Sequence, residues 1–145
     1  MLWLDTGVLA ALYVPEARSE RVARLTRRTG EPIPFSQLHE LELTNALQLR
    51  VFRREATRGQ VVASLARVRD DLEAGVLYRV AVDWPLALAR AVELADRHTP
   101  RLGCRSLDLL HVSAAAVSAS DRFVTADRRQ SGMARRAGLV TTRIP

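Results

Sequence analysis

A chain of 145 residues that is 48% hydrophobic and 26% charged has the length and composition of one globular domain, which excludes disordered and fibrous classes. Its 22 basic residues outnumber 16 acidic ones to give +6, and all of them are Arg. That surplus suits a polyanion or an acidic protein partner, while codon usage in a GC-rich genome accounts for the missing Lys. Cys104, the single cysteine, excludes an intramolecular disulfide and a thiolate metal site built within one chain. No apolar run approaches a membrane span, and Met1–Val14 lacks a basic leader and is interrupted by Asp5, so a cytoplasmic protein folded as one domain over 1–145 is expected.

Short apolar β-type runs alternate with helical segments, the pattern of an α/β fold with a mostly parallel sheet flanked by helices. Leu2–Leu4 is the first strand, ending at Asp5. Thr6–Tyr13 reads as a short helix and Glu16–Arg28 as a second one stopped by Gly30. Pro32–Phe35 is a weak strand whose prolines limit its pairing, and Ser36 is placed to cap a long helix reaching about Arg54. Leu38, Leu41, Ala46, Leu49 and Phe52 recur at helical spacing and predict its core face. Thr57–Ala74 is helical, with Val61, Leu65, Val68 and Leu72 inward. Then come a strand at Tyr78–Val82, a helix at Trp84–His98, a loop at Thr99–Gly103 and an Ala-rich helix at Leu107–Ser118. Arg122–Thr125 is a strand, Arg128–Ala137 a helix and Leu139–Thr142 the last strand.

Asp5 and Asp127 each follow a strand and open a helix, which places both at the carboxyl edge of a parallel sheet, where ligands bind in open α/β folds. Asp108 lies in the first turn of the helix preceding the strand that leads to Asp127. Glu42 and Asn45 share a face of the long helix. Singly, each Asp is equally a helix-capping residue and Glu42 a solvated one. Together, four carboxylates at one edge repel one another unless cations neutralise them, and an all-oxygen set suits Mg²⁺ or Mn²⁺ rather than Zn²⁺. Asp121 precedes its strand and belongs at the opposite edge.

The runs Leu4-Asp5-Thr6-Gly7-Val8-Leu9, Glu42-Leu43-Thr44-Asn45-Ala46-Leu47, Ser106-Leu107-Asp108-Leu109-Leu110-His111 and Phe123-Val124-Thr125-Ala126-Asp127 resemble, in order and spacing, the successive acidic motifs of PIN-domain ribonucleases, and among these the VapC-type toxins of toxin–antitoxin pairs. The resemblance spans nearly the whole chain. It implies metal-dependent endonucleolytic cleavage of RNA by a metal-activated water, with Asp5, Glu42, Asp108 and Asp127 as the acidic quartet holding one or two divalent ions. Asp5 and Asp108 are the firmest ligands, and Asp127 acts directly or through water. It also implies a small antitoxin that blocks the acidic pocket, and a homodimer.

Around the quartet, Thr6, Ser106 and Thr125 are placed to orient carboxylates, Asn45 to hydrogen-bond into the site, and Arg105, Arg128 and Arg129 to hold RNA phosphates. Each has an ordinary alternative as a cap or a solvated residue. His111 is expected in the core, and the stretches Arg24–Arg28 and Arg50–Arg54 are expected as solvated faces. Three rival readings remain: a PIN-type RNA-processing nuclease without antitoxin, an aspartate-nucleophile phosphotransferase, and a non-catalytic α/β module that only docks partners. The phosphotransferase needs an acid where Gly7 stands. A receiver-like module needs a late Lys, and the chain has none.

Overall fold

The computed structural model describes all 145 residues. In chain order the elements are β1 (Leu2–Leu4), α1 (Thr6–Ala10), α2 (Ser19–Thr29), β2 (Ile33–Phe35), α3 (Gln37–Phe52), α4 (Arg58–Glu73), β3 (Leu77–Arg79), α5 (Trp84–Leu102), α6 (Ser106–Val117), β4 (Arg122–Thr125), α7 (Arg128–Arg136) and β5 (Val140–Arg143). The α/β fold expected from the alternation is the one observed, and every ladder is parallel. β4 lies between β1 and β5, with Leu4 level with Val124, and β2 pairs with β3.

β2 lies beside β1 without joining its ladder, and Pro34 explains why. Ile33 donates to Val76 and Phe35 accepts from Val80, so both residues face β3. Pro34, between them, faces β1 and has no N–H to give. Asp5 N–H bonds to Val124 O on the β4 side, so the Leu4 carbonyl points the other way, toward β2. His39 satisfies it, its Nε2 lying 2.8 Å from Leu4 O. An imidazole from the first turn of α3 thus replaces a missing ladder bond directly before Asp5.

Alternation along the strands divides the core in two. Leu2, Leu4 and Val124 face one side and pack with Val8, Leu9, Val22, Leu43, Leu47, Val61 and Val68 of α1–α4. Trp3 and Phe123 face the other side and pack with residues of α5–α7, among them Leu94, Leu109, Val112, Met133 and Ala134.

The expected core face of α3 is wrong except at Leu38. Leu41 is 65% and Phe52 84% exposed, Ala46 and Leu49 are exposed too, and the buried stripe is His39, Leu43 and Leu47. Both sets have helical spacing. The choice is made by the cap, where His39 Nδ1 accepts from Ser36 N–H at 3.0 Å and fixes which side of the first turn faces inward. The expected loop at Thr99–Gly103 is also corrected. α5 continues through Pro100 for a final turn and stops at Gly103, whose φ of 66° is the left-handed conformation that glycine adopts without penalty.

Candidate active site

Parallel pairing of β1 with β4 sets Asp5 level with Thr125, the pair that follows Leu4 and Val124 in the register. Asp5 caps α1, Oδ1 accepting from Val8 N–H at 2.6 Å, while Oδ2 accepts from the Thr125 hydroxyl. Asp127 caps α7 through Oδ1, which accepts from Arg129 N–H at 2.6 Å and Gln130 N–H at 3.1 Å. Asp108, in the first turn of α6, accepts through Oδ2 from Arg105 N–H at 3.3 Å and Arg105 Nε at 3.1 Å. All three acids therefore do cap helix starts, and the starts they cap surround one cleft.

That cleft has a volume of about 260 Å³ and is lined by Asp5, Thr6, Gly7, Glu42, Arg105, Asp108, His111, Ala126, Asp127 and Gln130. Four carboxylates stand against one guanidinium, and Arg105 is itself largely exposed. Asp121 lies elsewhere, ahead of β4, paired with the Met1 amino group. Of the remaining residues marked in the sequence, Thr6 and Thr125 touch acids. Asn45, Ser106 and Arg128 are exposed and outside the lining, and Arg129 reaches Gly103 O at 3.4 Å.

Glu42 is held by a buried relay. The Trp3 indole, which can only donate, gives its hydrogen to His111 Nδ1 at 3.3 Å. Nε2 is then the protonated nitrogen of His111, and it donates to Glu42 Oε2. Thr6 Oγ1 donates to the same oxygen at 2.6 Å. Burial pushes the Glu42 carboxyl up, but hydrogen bonding to His111 and Thr6 outweighs it and holds the group below the usual carboxylate range. His39 lies behind His111 with its ring tilted 56° to it, and burial holds its imidazole down at about 3. It is a neutral structural residue.

Asp5 shows the opposite balance. It is 8% exposed, and burial raises its pKa despite the hydrogen bonds from Thr125 and Val8. The one Thr125 hydrogen faces two acceptors, Asp5 Oδ2 and Gln130 Oε1, the latter at 2.6 Å. The buried end of the cleft is thus short of positive charge and of donors. Glu42 Oε1, Asp108 Oδ1 and Asp127 Oδ2 take no hydrogen bond from the protein. Carboxylate oxygens with His111 committed to Glu42 form an oxygen donor set of the kind that hard divalent cations prefer. No three acidic or histidine side chains are drawn together closely enough to make a finished coordination cluster.

Two lining residues were not marked as functional from sequence. Gln130 is buried, bridging Thr125 and the Asp108 carbonyl, and its signal was the Asp-x-x-Gln spacing of a capping box from Asp127. His111 is a hydrogen-bonded buried residue as expected, yet it also lines the cleft.

Compared with known proteins, residues 2–136 match the family model described as PIN domain. Among solved structures, the chain is similar to FitAcB from Neisseria gonorrhoeae, with 19% identity, 97% of this chain and 96% of that chain covered, and a TM-score of 0.63. It is also similar to VapBC2 from Rickettsia felis, a structure bound to a DNA fragment from their promoter, with 16% identity, 99% and 98% covered, and a TM-score of 0.62. No curated protein matches.

Proposed function

We propose a function from one premise: the chain belongs to the PIN domain family. It is a Mg²⁺- or Mn²⁺-dependent endoribonuclease of the cytoplasm, and the toxin of a toxin–antitoxin pair. The observation that carries this reading is the cleft in which Asp5, Glu42, Asp108 and Asp127 meet, three of them with an oxygen free of protein hydrogen bonds.

Asp5, Glu42, Asp108 and Asp127 would hold the cation, Asp127 directly or through water. When bound, the cation supplies an activated water and neutralises charge developing on the phosphate. The protein's own residues do the rest. Thr6 and His111 aim Glu42 and keep it ionised, and Thr125 holds Asp5 from behind. Arg105, at the rim beside Asp108, is placed to take an RNA phosphate, with Arg128 and Arg129 further out on α7. Asn45 and Ser106 stay at the margin and would contact substrate rather than the acids.

An antitoxin and a second copy of the chain belong to the same reading. Exposed Leu41 and Phe52 on α3, and Leu86, Leu88 and Val92 on α5, supply apolar surface for such partners to cover. No helix is long and apolar enough to cross a membrane. The test is incubation of RNA with the protein in Mg²⁺ or Mn²⁺, beside Asp5→Asn and Asp108→Asn. Cleavage by wild type that stops in EDTA and in both variants is expected. Equal cleavage by all three proteins contradicts the proposal.

A further inference from the structure

A second groove, of about 520 Å³ against 260 Å³ for the acidic cleft, lies between α2 and the start of β4. Arg21, Arg24, Leu25, Arg28 and Thr29 form one wall and Arg122 the other, with no acidic residue in the lining. Arg122 opens β4 and Thr125, which holds Asp5, closes it, so groove and cleft occupy opposite ends of one strand.

Folding does not explain this cluster. Arg24 has one exposed ion pair, with Glu20 at 2.8 Å, and pairs of that kind contribute little. The guanidinium groups of Arg21, Arg28 and Arg122 form no ion pair or hydrogen bond within the chain, and the nearby acids Glu31 and Asp121 are engaged with the Met1 amino group. A helix dipole favours Arg28 in the last turn of α2 but disfavours Arg21 in the first. Spacings of three and four residues set the guanidinium groups of Arg21, Arg24 and Arg28 side by side, where like charges repel. Beyond Glu20, the chain supplies no counter-charge to this cluster.

The lining selects the ligand. Guanidinium groups match phosphate oxygens in a bidentate fork, and Arg21 to Arg28 extend about 10 Å along the helix axis, enough for successive phosphates of one strand. A protein partner would want an apolar or aromatic anchor, and Leu25 is the single apolar residue present. We propose that this groove is a second nucleic-acid site, which grips the phosphate backbone of RNA away from the acidic cleft. Naming RNA rests on the ribonuclease reading, whereas the groove's affinity for phosphate chains does not.

The test is fluorescence anisotropy with labelled single-stranded RNA in EDTA, across about 50 to 200 mM salt, the range over which phosphate contacts are lost. Wild type is set beside Arg21→Gln/Arg28→Gln/Arg122→Gln, the single variant Arg122→Gln, and a control, Arg53→Gln/Arg58→Gln/Arg69→Gln, that removes the same charge elsewhere. The triple groove variant is expected to flatten the log–log salt dependence by about 2, from roughly 0.7 per phosphate contact on a single strand, and Arg122→Gln by about a third of that. A groove variant no different from the control overturns the proposal. Polyglutamate that binds the wild type and not the groove variant, while RNA binding is unchanged, also overturns it, in favour of an acidic protein partner. Because binding is read in EDTA, a protein that cleaves nothing but shows the flattened slope refutes the nuclease reading and upholds the groove.

Discussion

The two ends of β4 carry opposite chemistry built in opposite ways. At the carboxyl end Asp5 is buried, Glu42 and Asp108 are half-buried and Asp127 is exposed, and each acid is tied to a helix start, a hydroxyl or His111. At the amino end the arginines are exposed and mostly without partners. Charge that must be aimed to within a fraction of an ångström is built into the packing, whereas charge that only attracts is left in solvent. Substitutions at the two ends should therefore fail differently.

The largest effect is expected from Asp5→Asn and Asp108→Asn, which should lower the rate of RNA cleavage by on the order of 10²-fold or more, the scale for removing a group that stabilises the transition state. Thr6→Val keeps the shape of its side chain but removes one of the two donors to Glu42 Oε2. A loss of about 10- to 100-fold in metal affinity or rate is expected, as for other groups that orient ligands.

Stability separates the ends further. Asp5 has a folded pKa raised by burial, so the native state binds more protons than the unfolded one above the ordinary value of 3.8, and stability falls as pH rises through that window. Asp5→Asn removes the charge and can donate to Thr125, which frees the Thr125 hydrogen for Gln130. In EDTA near neutral pH the variant should melt above wild type, with the gap closing toward pH 4. A Tm unchanged or lowered would mean that the buried carboxylate is compensated within the protein. His39 acts with the other sign. Its pKa is held near 3 by burial, so the unfolded state binds the extra proton between about 6.5 and 3, and stability is lost as pH falls through that range. Urea midpoints across this range check it, and the downward trend should persist in Asp5→Asn. The smallest effect belongs to the groove, where Arg21→Gln and Arg122→Gln should each change stability by no more than about 0.5 kcal/mol.

The same contrast explains what could be read from the sequence. The alternation of elements and the positions of Asp5 and Asp127 were legible because strand–Asp–helix junctions are local and a parallel sheet gathers them at one edge, and Asp108 was legible as an acid in the first turn of the helix that leads into β4. The buried face of α3 was not legible from its leucines, since two helical stripes competed and a capping contact of His39 chose between them. Gln130 was missed because its partners, Thr125 and Asp108, come from different elements. The arginines of Arg24–Arg28 are solvated as expected, and the groove that Arg24 and Arg28 line was not legible because Arg122, its other wall, is distant in sequence.

The central claim is that the oxygens of Glu42, Asp108 and Asp127 left free in the cleft, together with Asp5, take up a divalent cation. Titration calorimetry with Mn²⁺ tests it without reference to any RNA. The wild type should bind Mn²⁺ with a heat that disappears in Asp5→Asn/Asp108→Asn. Binding that is equal in both proteins, or absent from the wild type, would contradict it.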